Sequence, residues 1–273
     1  MIDNPRSPRV RSVAKLAKRD ARSQTGLFLL EGPQAVAEAL AFRPQLVAEL
    51  YATPTAIERY TDIAQAASVA GIEVEFVTEA VLESMADTVA PQGIVAVCHQ
   101  FPTSVKDILK PDADGNGPKL IAILEEVRDP GNAGTIIRAA DAAGADGVIF
   151  TGRSVDLYNP KVVRSSTGSI FHVPVAVGAD FDTVLERARE AGLFVIAADV
   201  TGDDLLAARQ DGVLSRPTAW VFGNEARGLS DENLASTDLA LTVPIYGHAE
   251  SMNLATAASV CLYESAFAQR SAN

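Results

Sequence analysis

Cysteine is scarce in this chain: Cys98 and Cys261 lie far apart, each among apolar neighbours. No CxxC and no paired Cys/His spacing occurs, so neither a disulfide framework nor a metal site is expected. Two buried thiols in a reducing cytoplasm are expected instead. Histidine is limited to His99, His172 and His248, and no GxSxG is present, which leaves a Ser-His-Asp hydrolase little to work with. The GxGxxG dinucleotide fingerprint and the GxxxxGK[ST] phosphate loop are both missing. Apolar runs reach only about five residues, far short of the roughly 18 that a membrane span needs. Arg6, Arg9 and Arg11 are followed by no apolar stretch, so no secretory signal is expected.

What is present reads as a soluble globular protein. Of 273 residues, 48% are hydrophobic and 21% charged, and the length allows two domains. The net charge of −12 argues at first against a nucleic-acid partner. Its distribution is uneven, however. Residues 1–23 hold Arg6, Arg9, Arg11, Lys15, Lys18, Arg19 and Arg22 against Asp3 and Asp20. Of 23 basic and 35 acidic residues, that leaves 16 and 33 for the rest: a basic arm on an acidic body. A solvated helical terminus would explain the arm equally well.

Hydrophobic periodicity predicts a helix over 12–22, with Val13, Leu16 and Ala17 on one face. Strands are expected at 27–30, 46–52, 73–77 and 94–97. Helices are expected at 34–41, at 57–70, and at 79–85 behind a Thr78 cap. This is a small N-terminal α/β domain, 1–102. The turn-forming run Pro111-Asp112-Ala113-Asp114-Gly115-Asn116-Gly117-Pro118 marks 103–118 as a linker. Beyond it, apolar strands at 120–124, 147–150, 173–177, 194–198, 219–222 and 239–243 alternate with helices at 132–143, 181–191 and 203–209. That pattern predicts an α/β domain over 119–273 with a parallel sheet covered on both faces.

Three stretches sit where such strands end, the place where open α/β sheets bind ligands. The first, Asp129-Pro130-Gly131-Asn132-Ala133-Gly134-Thr135-Ile136-Ile137-Arg138, enters a helix. Asn132 and Arg138 are six apart and so fall on different faces; Asn132 suits the helix entrance and Arg138 the second turn. A surface ion pair with Asp141 or Asp129 would account for Arg138 as well. The second is Phe222-Gly223-Asn224-Glu225-Ala226-Arg227-Gly228-Leu229-Ser230. The third runs Val243-Pro244-Ile245-Tyr246-Gly247, then Ser251-Met252-Asn253-Leu254, into a helix with Ser251 as N-cap. That helix is apolar or small almost all round, which predicts burial.

Together the three stretches resemble, in order and spacing, the signature motifs of the SpoU (TrmH-like) RNA 2'-O-ribose methyltransferases of the SPOUT class. Asn159-Pro160-Lys161-Val162-Val163-Arg164 through Pro174 is also typical of that family, and 1–102 is similar to its ribosomal-protein-like RNA-binding domain. Met252 stands where leucine is commoner, a swap that conserves volume. The resemblance implies a deep trefoil knot, an exception to general topology rules. It also implies a homodimer and S-adenosylmethionine held near Gly223, Val243, Ile245, Met252 and Leu254, with no metal.

Catalytic positions implied by the resemblance are Arg138, Asn132, Glu225, Ser251 and Asn253. An arginine is a poor literal base, since its guanidinium gives up its proton only in strong alkali. Arg138 is better suited to hold the 3'-phosphate and to stabilise a developing alkoxide. Glu225 is expected to anchor loops or Asn132. Arg9, Arg11, Lys15, Lys18, Arg19 and Arg22, with Arg128, Lys161, Arg164 and Arg227, would face RNA. On the family's pattern the substrate is ribosomal (23S) RNA. A tRNA ribose is the alternative, and a non-catalytic RNA binder of the same fold is another. A nucleotide-dependent oxidoreductase lacks its fingerprint. Binding through these cations should weaken as salt rises. A filter-binding titration with an RNA affinity unchanged between low and moderate salt would contradict the basic-face reading.

Overall fold

The N-terminal sequence builds a sheet of four short strands. They are β1 (Leu27–Glu31), β2 (Val47–Ala52), β3 (Val74–Phe76) and β4 (Ile94–His99), in the order β1-β4-β2-β3. β4 runs antiparallel to β1 and β2, and β3 runs parallel to β2. The computed structural model describes residues 1–271. By contacts the chain forms two units: Met1–Phe101 together with Asp156–His172, and Pro102–Val155 together with the chain from Val173 onward.

In the first unit the basic terminus is not a loose arm. It forms two helices, Pro8–Lys15 and Arg19–Thr25, in place of one over 12–22. Ser7 caps the first, accepting from the Val10 amide. Val10, Val13 and Leu16 are buried in a cluster with Leu29, Tyr51, Val81, Leu82 and Val95. Burial of each such side chain contributes about 1.5–3 kcal/mol, so three anchors outweigh any repulsion among screened surface cations.

Arg22 ties this corner down. It is 2% exposed. Its Nη1 donates to the carbonyls of Leu16 and Ala17, and its Nε and Nη2 donate to Asp156 Oδ2 at 3.0 and 2.6 Å. This corrects its assignment to an RNA face, because every edge of the guanidinium already points inward. Arg9 donates to Glu75 at 2.9 Å. Arg164 sits between Glu31 (3.0 Å) and Asp87 (2.9 Å), so its charge is balanced locally. Arg11, Lys15, Lys18 and Arg19 are exposed. Asn159 caps the helix Pro160–Ser166, which carries Lys161 and Arg164. The helix expected over 57–70 is interrupted at Tyr60, giving Pro54–Arg59 and Thr61–Val69.

The second unit is a six-stranded sheet, parallel throughout. Its strands are β5 (Leu120–Glu125), β6 (Gly147–Thr151), β7 (Val175–Ala179), β8 (Phe194–Asp204), β9 (Thr218–Phe222) and β10 (Leu239–Thr242), in the order β10-β8-β9-β5-β6-β7. The central strands are apolar on both faces, with Ile121, Ile123, Ile149, Val195 and Val221 fully buried. The chain steps outward from β5 to β6 and β7, then crosses to the other side of β5. The strand order therefore switches between β5 and β9, where an open sheet leaves a crevice at its carboxyl edge.

The helix Leu254–Ser271 follows edge strand β10 and packs on the helix Pro130–Ala143. Trp220 on β9 is buried and donates its indole N–H to Ser265 at 2.9 Å. Arg270 donates to the Ala143 carbonyl and so caps the neighbouring helix end. The helix is not buried all round: Tyr263 and Phe267 are 36% and 49% exposed. Within 103–118, Val105–Leu109 is a helix whose Ile108 and Leu109 enter the core.

Cys98 and Cys261 are buried free cysteines, and burial pushes both thiols up to about 12. Among the described residues, no helix is long and apolar enough to cross a membrane.

Removing one partner of a buried ion pair strands the other charge, at a cost of about 3–5 kcal/mol. Arg22→Ala should therefore lower the urea midpoint of the chain by a shift in that range, whereas Arg19→Ala should leave it within about 0.5 kcal/mol. Equal midpoints for the two variants would refute the staple role of Arg22.

Candidate functional site

Three loops meet at the carboxyl edge of β5, β9 and β10. The first is fixed by Asp129, whose Oδ1 accepts from the Asn132 amide at 2.8 Å and caps the helix Pro130–Ala143, with proline at N1. The second folds back on itself: Asn224 and Gly228 exchange backbone hydrogen bonds at 3.1 and 2.8 Å. Gly223 is required there. A Cβ on it would lie 2.5 Å from the Gly228 carbonyl carbon, so close backbone approach, rather than ligand access, explains this glycine. Gly228 has φ +67, a conformation L side chains rarely adopt. The third loop leaves β10 at Val243 and returns through Ser251 and Met252 to the last helix.

Glu225 joins the first two loops. Its Oε2 accepts from the Arg128 amide at 3.1 Å, and its Oε1 accepts from the Asp129 amide at 2.9 Å. The Asn132 side-chain amide also reaches Oε1, at 3.4 Å, a longer and weaker contact. Asn253 then joins the third loop: its Nδ2 donates to Asn132 Oδ1 at 3.0 Å. The Asn253 Oδ1 accepts from the amides of Ala255 and Thr256 at 2.9 and 3.2 Å. Asn253 is therefore the cap of the last helix, which corrects the assignment of Ser251 to that role.

Behind these ties lies a cleft of ≈ 370 Å³. Phe222, Leu241, Val243, Ile245, Met252 and Leu254 line its apolar part, and Asp199, Asn224, Glu225, Arg227 and Ser251 its polar part. Val243, Ile245, Met252 and Leu254 thus reach the cleft from the expected set, and Gly223 does not line it. Asp199, on β8, was not among the expected residues; only its placement at a strand end could have signalled it. Arg138 is exposed and stands outside the cleft, on a stripe of the helix Pro130–Ala143 with Thr135 and Ala142.

Glu126 holds the two cations of this unit expected to face RNA. Its Oε2 accepts from Arg227 at 2.8 Å and from Arg128 at 3.3 Å, and its carbonyl accepts from Asn224 Nδ2 at 2.8 Å. It does so with a φ of 51, unusual for a glutamate. The neighbouring Glu125 carboxyl is pushed above the usual range by burial, with the Glu126 and Asp180 charges adding to the effect. Hydrogen bonds from Thr151 and Asn233 oppose it. Among the described residues, no group of three or more His, Cys, Asp or Glu is placed to hold a metal ion.

Because Ser caps helices about as well as Asn, Asn253→Ser should keep the stability of the chain within a few tenths of a kcal/mol, and Asn253→Ala should lose about 1 kcal/mol. Both cut the tie to Asn132. Urea denaturation separates them; a serine variant as unstable as the alanine variant would show that the tie, not the cap, carries the stability.

Comparison with known proteins agrees with this geometry. The model of the SpoU rRNA Methylase family matches residues 119–263, and that of RNA 2'-O ribose methyltransferase substrate binding matches residues 29–104. The chain is 33% identical over 262 residues to the 23S rRNA (guanosine(2553)-2'-O)-methyltransferase RlmP of Bacillus subtilis, covering 96% of this chain and 97% of that protein. It is 32% identical over 259 residues to the 23S rRNA (uridine(2479)-2'-O)-methyltransferase of Streptomyces viridochromogenes, covering 92% and 86%. The crystal structure of an AdoMet-bound rRNA methyltransferase from Sinorhizobium meliloti superposes with a TM-score of 0.81 at 30% identity, covering 97% of this chain and 96% of that one. With an α/β unit whose three loops carry the family's motifs and a matching N-terminal region, the chain belongs to the SpoU rRNA methylase family.

Proposed function

We propose that this chain methylates the ribose 2'-hydroxyl of an RNA, using S-adenosylmethionine. The carrying observation is the Glu225–Asn132–Asn253 tie, which joins the three motif loops beside one cleft that the second and third of them line. The cleft suits that cofactor in kind. Phe222, Leu241, Val243 and Ile245 offer apolar surface that suits a purine, and the Asp199 carboxylate in the same lining would accept hydroxyl or cationic groups. When bound, the cofactor supplies an electrophilic methyl on a sulfonium whose departure leaves a neutral thioether.

The protein's own contribution is then mostly orientation. Glu225 is a positioning residue: both its oxygens accept backbone amides, which leaves it poorly placed to take a proton. Asn132 is held at both ends of its side chain, so its amide keeps one orientation at the helix entrance. Arg138 holds the 3'-phosphate and stabilises charge developing on the 2'-oxygen. Ser251, exposed on the cleft wall, is a contact residue rather than a cap.

Three finer readings belong with this one. The substrate is ribosomal RNA; the support is that both relatives named above carry 23S rRNA activity in their names. The enzyme works in the cytoplasm, where that substrate is made. It acts as a homodimer: Tyr263 and Phe267, with ring centroids 5.5 Å apart, leave an apolar face beside the exposed stripe of Thr135, Arg138 and Ala142. A second copy on that face brings Arg138 into the interface.

The test uses radiolabelled S-adenosylmethionine with unmodified ribosomal and transfer RNA, followed by alkaline hydrolysis. A methylated ribose blocks cleavage, so label should appear in alkali-resistant dinucleotides from ribosomal RNA. Label in mononucleotides would mean base methylation and overturn the ribose reading. Label from transfer RNA alone would overturn the substrate reading. Arg138→Ala should cut turnover by about 100-fold or more, the scale of a lost charge-stabilising contact, with the fold intact.

A further inference from the structure

The loop between β10 and the last helix carries an aromatic side chain that takes no part in the Glu225–Asn132–Asn253 tie and does not line the cleft. Tyr246 is 86% exposed, the most exposed aromatic ring among the described residues. No described residue stacks on it or hydrogen-bonds its hydroxyl. Its position in the loop is not neutral. The residue before it, Ile245, lines the cleft and is itself 37% exposed, and Val200, exposed as well, lines the same opening. Arg227 lines that opening too, held by Glu126 with its guanidinium largely in solvent.

A half-wet apolar shelf and a fixed cation at one opening, with an unpartnered aromatic ring on the residue next to that shelf, match single-stranded RNA. Its bases stack on aromatic side chains, and its phosphates are drawn to arginine. A polypeptide occupant would need backbone partners along a strand edge or a groove for a helix. This loop, with no strand or helix of its own, presents neither.

We propose that Tyr246 is the platform on which a base of the substrate RNA stacks, next to the ribose presented to the cleft. The assignment rests on the RNA methyltransferase reading above. It makes Tyr246 a substrate-binding residue outside both the cofactor cleft and the Glu225–Asn132–Asn253 tie. Arg227, at the opening beside Ile245, takes a phosphate of the same strand. Stacking is tolerant of base identity, so Tyr246 contributes affinity and register rather than a choice among bases.

The test compares the wild-type chain with Tyr246→Ala and Tyr246→Phe on an unmodified 23S rRNA transcript, with S-adenosylmethionine affinity measured separately by calorimetry. Loss of one stacked base should raise KM for RNA by about 5- to 150-fold. The kcat and the cofactor affinity should stay within about twofold, since no contact in the cleft changes. Tyr246→Phe, which keeps the ring, should restore KM.

A third variant, Tyr246→Trp, gives a readout free of turnover. The natural Trp220 is fully buried, so the added indole reports the solvent-exposed loop, and RNA but not cofactor should quench it. An unchanged KM in Tyr246→Ala would overturn the proposal. So would a lost cofactor affinity, or a dimer that dissociates, because each would assign the ring to another surface. A wild-type chain that binds S-adenosylmethionine yet methylates no RNA would instead remove the functional reading on which the proposal stands.

Discussion

One carboxylate organises the site. Glu225 lies on a loop after β9 and accepts backbone amides from the loop after β5. Hydrogen bonds to a charged acceptor contribute about 1.5–3 kcal/mol, roughly twice those of neutral pairs. Glu225 is itself exposed, so solvent offsets part of that, and the two bonds act chiefly by fixing the geometry of the loops. The rest follows from it. Asp129, one of the two residues whose amide is held, caps the helix that carries Asn132 and Arg138. Asn132 in turn receives Asn253, which caps the last helix. A single chain of bonds thus fixes where two helices begin, beside the cleft that the second and third loops line. The exposed Arg128–Glu126 and Arg227–Glu126 pairs contribute little to stability by comparison, and their effect is to aim two cations.

The charge pattern has the same two-level character. The chain is acidic overall, yet its acids are disposed to hold particular cations. Glu75 takes Arg9, Asp156 takes Arg22, Glu31 and Asp87 take Arg164, and Glu126 takes Arg227 and Arg128. Of these pairs the Arg22 one has the most buried cation, and Glu31 is buried beneath Arg164, whereas the side chains of Arg9, Arg128 and Arg227 remain about half or more in solvent.

The parallel sheet was legible because strands buried on both faces read as unbroken apolar runs, and all six lie where such runs occur. Thr78 was legible as a cap because its signal is local. Elements that depend on distant partners were not. Arg22 looks like any other cation of a basic terminus, since Asp156 is 134 positions away. The helix Val105–Leu109 is too short to show a period. Ser251 and Asn253 both satisfy the capping preference, and only the path of the loop decides between them. Gly223 invites a ligand-approach argument, whereas the structure places backbone against it. At the site, the residue types and their order could be read from spacing, but not the hydrogen bonds that join them, because those cross between loops about a hundred residues apart.

Whether Glu225 organises the loops beside the cleft is decided by Glu225→Gln. The substitution keeps shape and removes charge, and it sets an amide group against one of the two backbone donors. Because Glu225 is exposed, the cost should be about 0.5–1.5 kcal/mol at the site, which converts to roughly 2- to 10-fold. Calorimetry with S-adenosylmethionine should therefore show affinity weakened within that range in a variant whose circular dichroism matches the wild type. A variant that binds the cofactor as tightly as the wild type would show that the three loops hold their positions without this carboxylate, and the account would be wrong at its root.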